Sequence, residues 1–143
     1  HNDARRQRQM CIRDRPNHGQ MENFNSGDLD TPIFMVNLLK FKEFACYEDG
    51  RETNLTGAEA YNIYSQEVQD RHLKKVGGKI IFSGAVSRLM LGEAEELWDI
   101  IAIAEYPNKK AMLEMITNND YLESEKHRSA GLKGQLNIET KKL

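Results

Sequence analysis

At 143 residues and a formal net charge of −2, the chain suits one domain that can bury a core without disulfide or metal staples. The near-neutral balance leaves no nucleic-acid footprint. No run approaches the ~18 consecutive apolar residues of a membrane span, and no stretch reads as a secretion leader.

Residues 1–15 are set apart. The run Met10-Cys11-Ile12-Arg13-Asp14-Arg15 resembles a translated sequencing-adaptor end, and Arg6 to Gln9 continues it. This stretch reads as an adaptor- or cloning-derived, disordered tail, the alternative being a basic arm for an acidic partner. The tail takes five of the 20 basic and two of the 22 acidic residues, so the remainder carries 15 against 20, a net of −5. Only Cys46 is then left. A lone thiol rules out an internal disulfide and suits a reducing compartment, so a cytoplasmic location is expected.

Residues 16–31 form a polar N-terminal extension, broken by Pro16, Gly19 and Gly27, in which Gln20 to Asn25 reads as the last turn of a helix. The domain proper is expected over 32–143. Pro32 to Lys42 has the β-branched and aromatic content of a strand. Ile33, Met35, Asn37, Leu39 and Phe41 share one face, and Phe34, Val36, Leu38, Lys40 and Lys42 the other. Glu43 to Leu55 is an insertion with an Asp49-Gly50 turn, either a small ribbon or a loop. Thr56-Gly57-Ala58-Glu59 has capping-box spacing. It opens a helix to about Val76, with Tyr61, Tyr64, Val68, His72 and Val76 on one stripe. Gly77-Gly78 ends it.

Lys79 to Leu91 predicts a strand with Ile80, Phe82 and Gly84 on one side and Ile81, Ser83 and Ala85 on the other. Trp98 to Tyr106 predicts a third, with Trp98, Ile100, Ala102, Ala104 and Tyr106 opposite Asp99, Ile101, Ile103 and Glu105. Asn108 is an N-cap for a helix bearing Ala111, Met112, Met115 and Ile116. After a polar break, a helix from Tyr121 to Ala130 is closed by Gly131. Leu132 to Thr140 is the last strand. The order is βαββαβ, an α+β fold. Two helices cover only one sheet face. Phe34, Val36, Leu38, Ile101 and Ile103 would then stay in water, a patch monomers seldom carry. A homodimer is expected, two sheets closing face to face into a barrel.

The segments Met35-Val36-Asn37-Leu38-Leu39-Lys40-Phe41, Gly57-Ala58-Glu59-Ala60-Tyr61 with Tyr64, Gly77-Gly78, Tyr106-Pro107 and His127-Arg128-Ser129-Ala130-Gly131-Leu132 together resemble the bacterial family known as domain of unknown function 1330. The likeness runs from about Pro32 to Thr140. It implies a ferredoxin-like subunit pairing into a dimeric α/β barrel and names no activity. The wider superfamily includes cofactor-free monooxygenases, haem-degrading oxygenases, peroxidases, isomerases and stress-response proteins, so fold alone carries no function.

The candidate chemistry is sparse. Asn37 is the uncharged polar residue of an apolar strand. Its amide either bonds neighbouring groups or meets a ligand oxygen. His127 is the general-base candidate by intrinsic pKa, or else a solvated helix-end histidine. His72 reads as packing. Arg128 could grip a carboxylate or pair with a nearby acid. Trp98, Tyr61 and Tyr64 could wall a cavity or be plain core, and Ser83 could face it. By element, Asn37, Trp98 and His127 resemble the Asn, Trp and His set of the haem-degrading branch. No Cys/His cluster, phosphate loop or nucleophile elbow is present, so no metal or cofactor is expected. Two functions remain: an apolar small-molecule pocket supporting cofactor-free oxygenation or isomerisation, or a non-catalytic ligand-binding, structural or stress-related dimer. The first requires Asn37 and His127 to converge on a cavity.

Overall fold

The computed structural model describes residues 16–143; the tail assigned to 1–15 lies outside them. Helix α1 (His18–Asn25) precedes strand β1 (Ile33–Phe41). Helix α2 (Gly57–Glu67) continues through a π-helical stretch (Val68–His72) into a last turn (Leu73–Lys75). Strands β2 (Lys79–Ala85) and β3 (Ile100–Tyr106), helices α3 (Lys109–Thr117) and α4 (Asn119–Gly131), and strand β4 (Leu132–Thr140) complete the chain. The strands form an antiparallel sheet in the order β2-β3-β1-β4. This is the ferredoxin-like α+β arrangement that the βαββαβ reading requires.

Local chemistry explains the helix ends. Thr56 accepts from Glu59 N, and the Glu59 carboxylate accepts from Thr56 N, closing a full capping box. At the other end Gly77 takes φ +76°, while Gly78 N–H and Gly77 N–H donate to Leu73 and Lys74 carbonyls. That is a Schellman turn, and the left-handed position is why glycine stands there. Asn108 caps α3 and Asn118 caps α4. Helix α1 differs from its reading. It has its own capping box from Asn17 and Gln20, so it is a complete short helix and not a remnant. Its Phe24 packs on the core.

One sheet face meets the helices. Ile33, Met35, Ala104 and Tyr106 join Val68, Leu73, Met112, Met115 and Tyr121 in the main core. The opposite face is bare among the described residues. Cross-strand register lays Phe82, Ile103, Val36 and Ile138 in one row and Gly84, Ile101, Leu38 and Leu136 in the next. Phe82, Leu136 and Ile138 are 54, 47 and 44% exposed. The sequence reading of this face named β1 and β3 residues alone, so β2 and β4 enlarge it.

Strict alternation fails on β2. A register shift between Ile80 and Phe82 sets Ile80, Ser83 and Ala85 on the helix face and Phe82 on the bare one, because a bulge spends one residue without changing sides. Strands β2 and β3 are also shorter than predicted. Residues 86–99 form the loop between them, and the insertion after β1 is a loop with one bridge, Phe44 to Thr56.

Gly131 has a role its position did not reveal. It does not take a left-handed conformation; it lets two backbones touch. A Cβ on Gly131 would lie 2.3 Å from Gly57 O, and one on Gly57 would lie 2.7 Å from Gly131 O and 2.1 Å from Lys42 O. Backbone cannot yield as a side chain can. Gly131→Ala and Gly57→Ala are each expected to cost about 1–3 kcal/mol or more in chemical denaturation. Gly19→Ala, which meets only ordinary contact at 3.6 Å, should leave stability unchanged or slightly raised.

Candidate functional site

The helical layer stands off the sheet and leaves a cleft of about 1410 Å³ between them. Met35, Leu39, Ala102, Met112 and Met115 give it an apolar floor and wall. Its polar lining includes Asn62, Gln69, Ser83 and Asn137, and one set of polar groups is connected. Asn37 Nδ2 donates to Met35 O at 3.2 Å and Ala102 O at 3.3 Å. Its Oδ1 accepts from Gln135 Nε2 at 2.8 Å. Gln135 Oε1 accepts from Arg128 Nη1 at 2.6 Å, and Arg128 Nη2 donates to Glu125 Oε1 at 2.9 Å. Ser129 Oγ adds a bond to the same carboxylate oxygen at 2.7 Å. The Arg128 side chain is 11% exposed. A buried cation is tolerable only when paired and fully bonded, and this chain of bonds supplies that.

An aromatic wall runs beside it. Ring centroids of Phe41 and Tyr61 lie 5.5 Å apart, Tyr61 and Tyr64 5.4 Å, and Tyr64 and Tyr121 6.0 Å. The Tyr64 and Tyr121 hydroxyls share a 2.8 Å hydrogen bond. Burial pushes the phenols of Tyr61, Tyr64 and Tyr121 upward, so all three remain protonated donors at neutral pH.

The structure thus gathers Asn37, Arg128, Tyr61, Tyr64 and Ser83 on one cleft. It does not bring His127 or Trp98 there. His127 faces the insertion loop, where Nδ1 and the Tyr47 hydroxyl share a 2.6 Å bond and the rings meet edge to face at 5.5 Å. Tyr47 is anchored with Ala60 and Ala130 in a second small core. The expected convergence of Asn37 and His127 is therefore corrected: successive residues on α4 point apart, so Arg128 reaches the cleft and His127 does not. Trp98 precedes β3 and packs near β4, its Cζ3 3.9 Å from where a Gly134 Cβ would stand. Asp99 ends the pairing beside it by accepting from Phe41 N, and Trp98 falls outside the alternation that carries Ile100 and Ala102 inward.

Glu125, Gln135 and Tyr121 belong to the cleft and were not singled out from sequence. Two signals were present. Glu125 and Arg128 are three apart on one helix, hence neighbours. Gln135 and Asn137 alternate with Leu136 and Ile138, as Asn37 does with Val36 and Leu38. His72 is buried as packing suggests, with Nε2 2.8 Å from Ser124 Oγ, which donates to Glu67 Oε1 at 2.6 Å. With that hydroxyl donating to the carboxylate, it accepts from His72 Nε2 and does not donate to it.

No family model matches the chain, and no curated protein does. Solved structures do. The fold and its cleft define a ferredoxin-like subunit, and a crystal structure of methylated RPA0582 protein superposes with a TM-score of 0.81 at 37% identity, covering 90% of this chain and 93% of that one. The RPA0582 protein of unknown function from Rhodopseudomonas palustris matches at 0.80 and 34%, over 90% and 95%. The chain belongs to the family of the RPA0582 protein. A dimeric protein of unknown function with a ferredoxin-like fold from Bacteroides fragilis is more distant, at TM-score 0.48 and 13% identity over 78% of this chain and 97% of that one. Among the described residues no helix is long and apolar enough to cross a membrane, and no cluster of three His, Cys, Asp or Glu side chains is placed to hold a metal.

Burial lowers the pKa of His72, with Arg71 and Lys75 adding to the effect. Burial also lowers that of His127, Glu67 opposing and Arg51 assisting. A histidine whose folded pKa lies below its unfolded value of about 6.5 stabilises the fold above that pH, and the contribution fades as pH falls through the folded pKa. The melting temperature is expected to fall steadily below pH ~6.5. In His72→Gln the acid-side slope should be shallower, measured by differential scanning calorimetry.

Proposed function

We propose that the protein is a ligand-binding homodimer that holds a small, mainly apolar organic molecule in the cleft of each subunit. The cleft itself carries this reading. Apolar walls with a few convergent polar groups characterise small-molecule sites, and this cleft pairs such walls with the polar line Glu125, Arg128, Gln135 and Asn37. Tyr61, Tyr64 and Ser83 serve as wall. Binding without chemistry is favoured over oxygenation or isomerisation by the position of His127. A general base must come within hydrogen-bond reach of the proton it takes, and His127 is turned to Tyr47 outside the cleft.

Dimerisation through the bare sheet face is supported by its composition and size. Four strands of about seven residues present roughly 23 by 19 Å per copy. Two such faces bring together roughly 900 Å² in flat projection and more in accessible area, near the ~1,000 Å² floor for a biological interface. We also place the chain in the domain of unknown function 1330 family, on the ordered segments that resemble it, and in the cytoplasm, on the free thiol of Cys46. On this reading the domain spans 32–143, the extension 16–31 folds onto it, and residues 1–15 are adaptor-derived.

Two measurements test the reading. Light scattering after size exclusion should give twice the chain mass at low micromolar concentration, and Val36→Asp, at the centre of the bare face, should give a monomer. A monomeric wild type removes the dimer. Nile red, an uncharged apolar dye, should bind one per chain, and Ala102→Phe, which fills the cleft, should weaken it about tenfold, or ~1.4 kcal/mol. Equal binding by that variant removes the cleft.

A further inference from the structure

If the cleft binds a ligand as proposed above, the charges around it govern what it selects. The ionisable acid and base groups lining it are Glu125, Arg128 and Glu139, and each has an opposite charge beside it. Arg128 pairs with Glu125 at 2.9 Å and Lys109 with Glu139 at 2.9 Å. The Arg128 fork is engaged on both arms, one nitrogen on Gln135 and one on Glu125. Glu125 already balances the Arg128 charge, and its oxygen also holds Ser129. A second carboxylate there would bring uncompensated negative charge beside Glu125. The two pairs, Arg128 with Glu125 and Lys109 with Glu139, sum to zero charge.

The tyrosine pair differs. Two hydroxyls carry two hydrogens, and the single 2.8 Å bond between Tyr64 and Tyr121 uses one. One O–H remains to donate, and lone pairs remain to accept. Either hydroxyl can take either role, so the pair serves a carbonyl or a hydroxyl equally. It sits within a wall of rings 5.4 and 6.0 Å apart, which favours a flat unsaturated ligand body by dispersion and ring stacking. We infer that the cleft selects uncharged cyclic molecules, docks their carbonyl or hydroxyl oxygen on the Tyr64–Tyr121 pair, and rejects carboxylates because Glu125 already occupies Arg128.

The test compares 2-naphthol with 2-naphthoate at pH 7.5 by isothermal titration calorimetry on the full chain. The naphthol is expected to bind at least about tenfold tighter. Tyr64→Phe/Tyr121→Phe should erase most of that advantage while leaving binding of naphthalene, which lacks the oxygen, unchanged. Glu125→Gln frees the guanidinium from its counter-ion and should raise naphthoate affinity above that of wild type. If naphthoate binds wild type as tightly as naphthol, the charge argument is overturned. If the double variant keeps the full preference for naphthol over naphthalene, the docking point is overturned. Failure of both naphthyl probes together with Nile red defeats the cleft reading and this inference with it; failure of the two naphthyl probes alone overturns only the inference.

Discussion

Where Gly57 meets Gly131, two helix ends approach until their backbones are in contact, and the architecture depends on that approach. Gly57 opens α2 and Gly131 ends α4. The contact binds the two helices to each other at one end, with Lys42 of the β1 terminus donating its N–H to Gly131 O at 2.8 Å. A helix pair clamped there cannot settle freely onto the sheet. Core side chains fill one part of the gap around Ile33, and the rest stays open as the cleft, which Leu73 and Tyr106 border.

The open part is bordered by a hydrogen-bonded polar network. A buried cation at Arg128 would be intolerable alone. Linked to Glu125 and through Gln135 to Asn37, it becomes part of a charge-balanced network that ties α4, β4 and β1 together. Such a network specifies geometry more than it adds stability. Its charges balance internally, Arg128 against Glu125.

Much of the fold was legible because short-range rules govern it. Thr56 and Glu59, Asn108, and the Gly77-Gly78 pair are capping signals whose partners lie within a few residues, and each works as read. The β1 and β3 faces follow from alternation. The errors arise where a distant group intervenes. A bulge at Ile81 re-phases β2, Asp99 cuts β3 short of Trp98, and the insertion loop brings Tyr47 to His127. No periodicity within those segments carries that information. The same holds for the cleft: Asn37 stood out as an amide in an apolar strand, but its bond to Gln135 spans 98 residues.

Sequence alone determined the order of elements, the helix ends and the presence of two greasy sheet faces, since these depend on neighbours along the chain and on a side-chain period of two or 3.6. Tertiary structure decided which charged residue found which partner, which α4 side chains faced the cleft, and that a glycine at the end of a helix serves contact and not termination. Those outcomes depend on distances between segments far apart in the chain, and only the folded packing sets them.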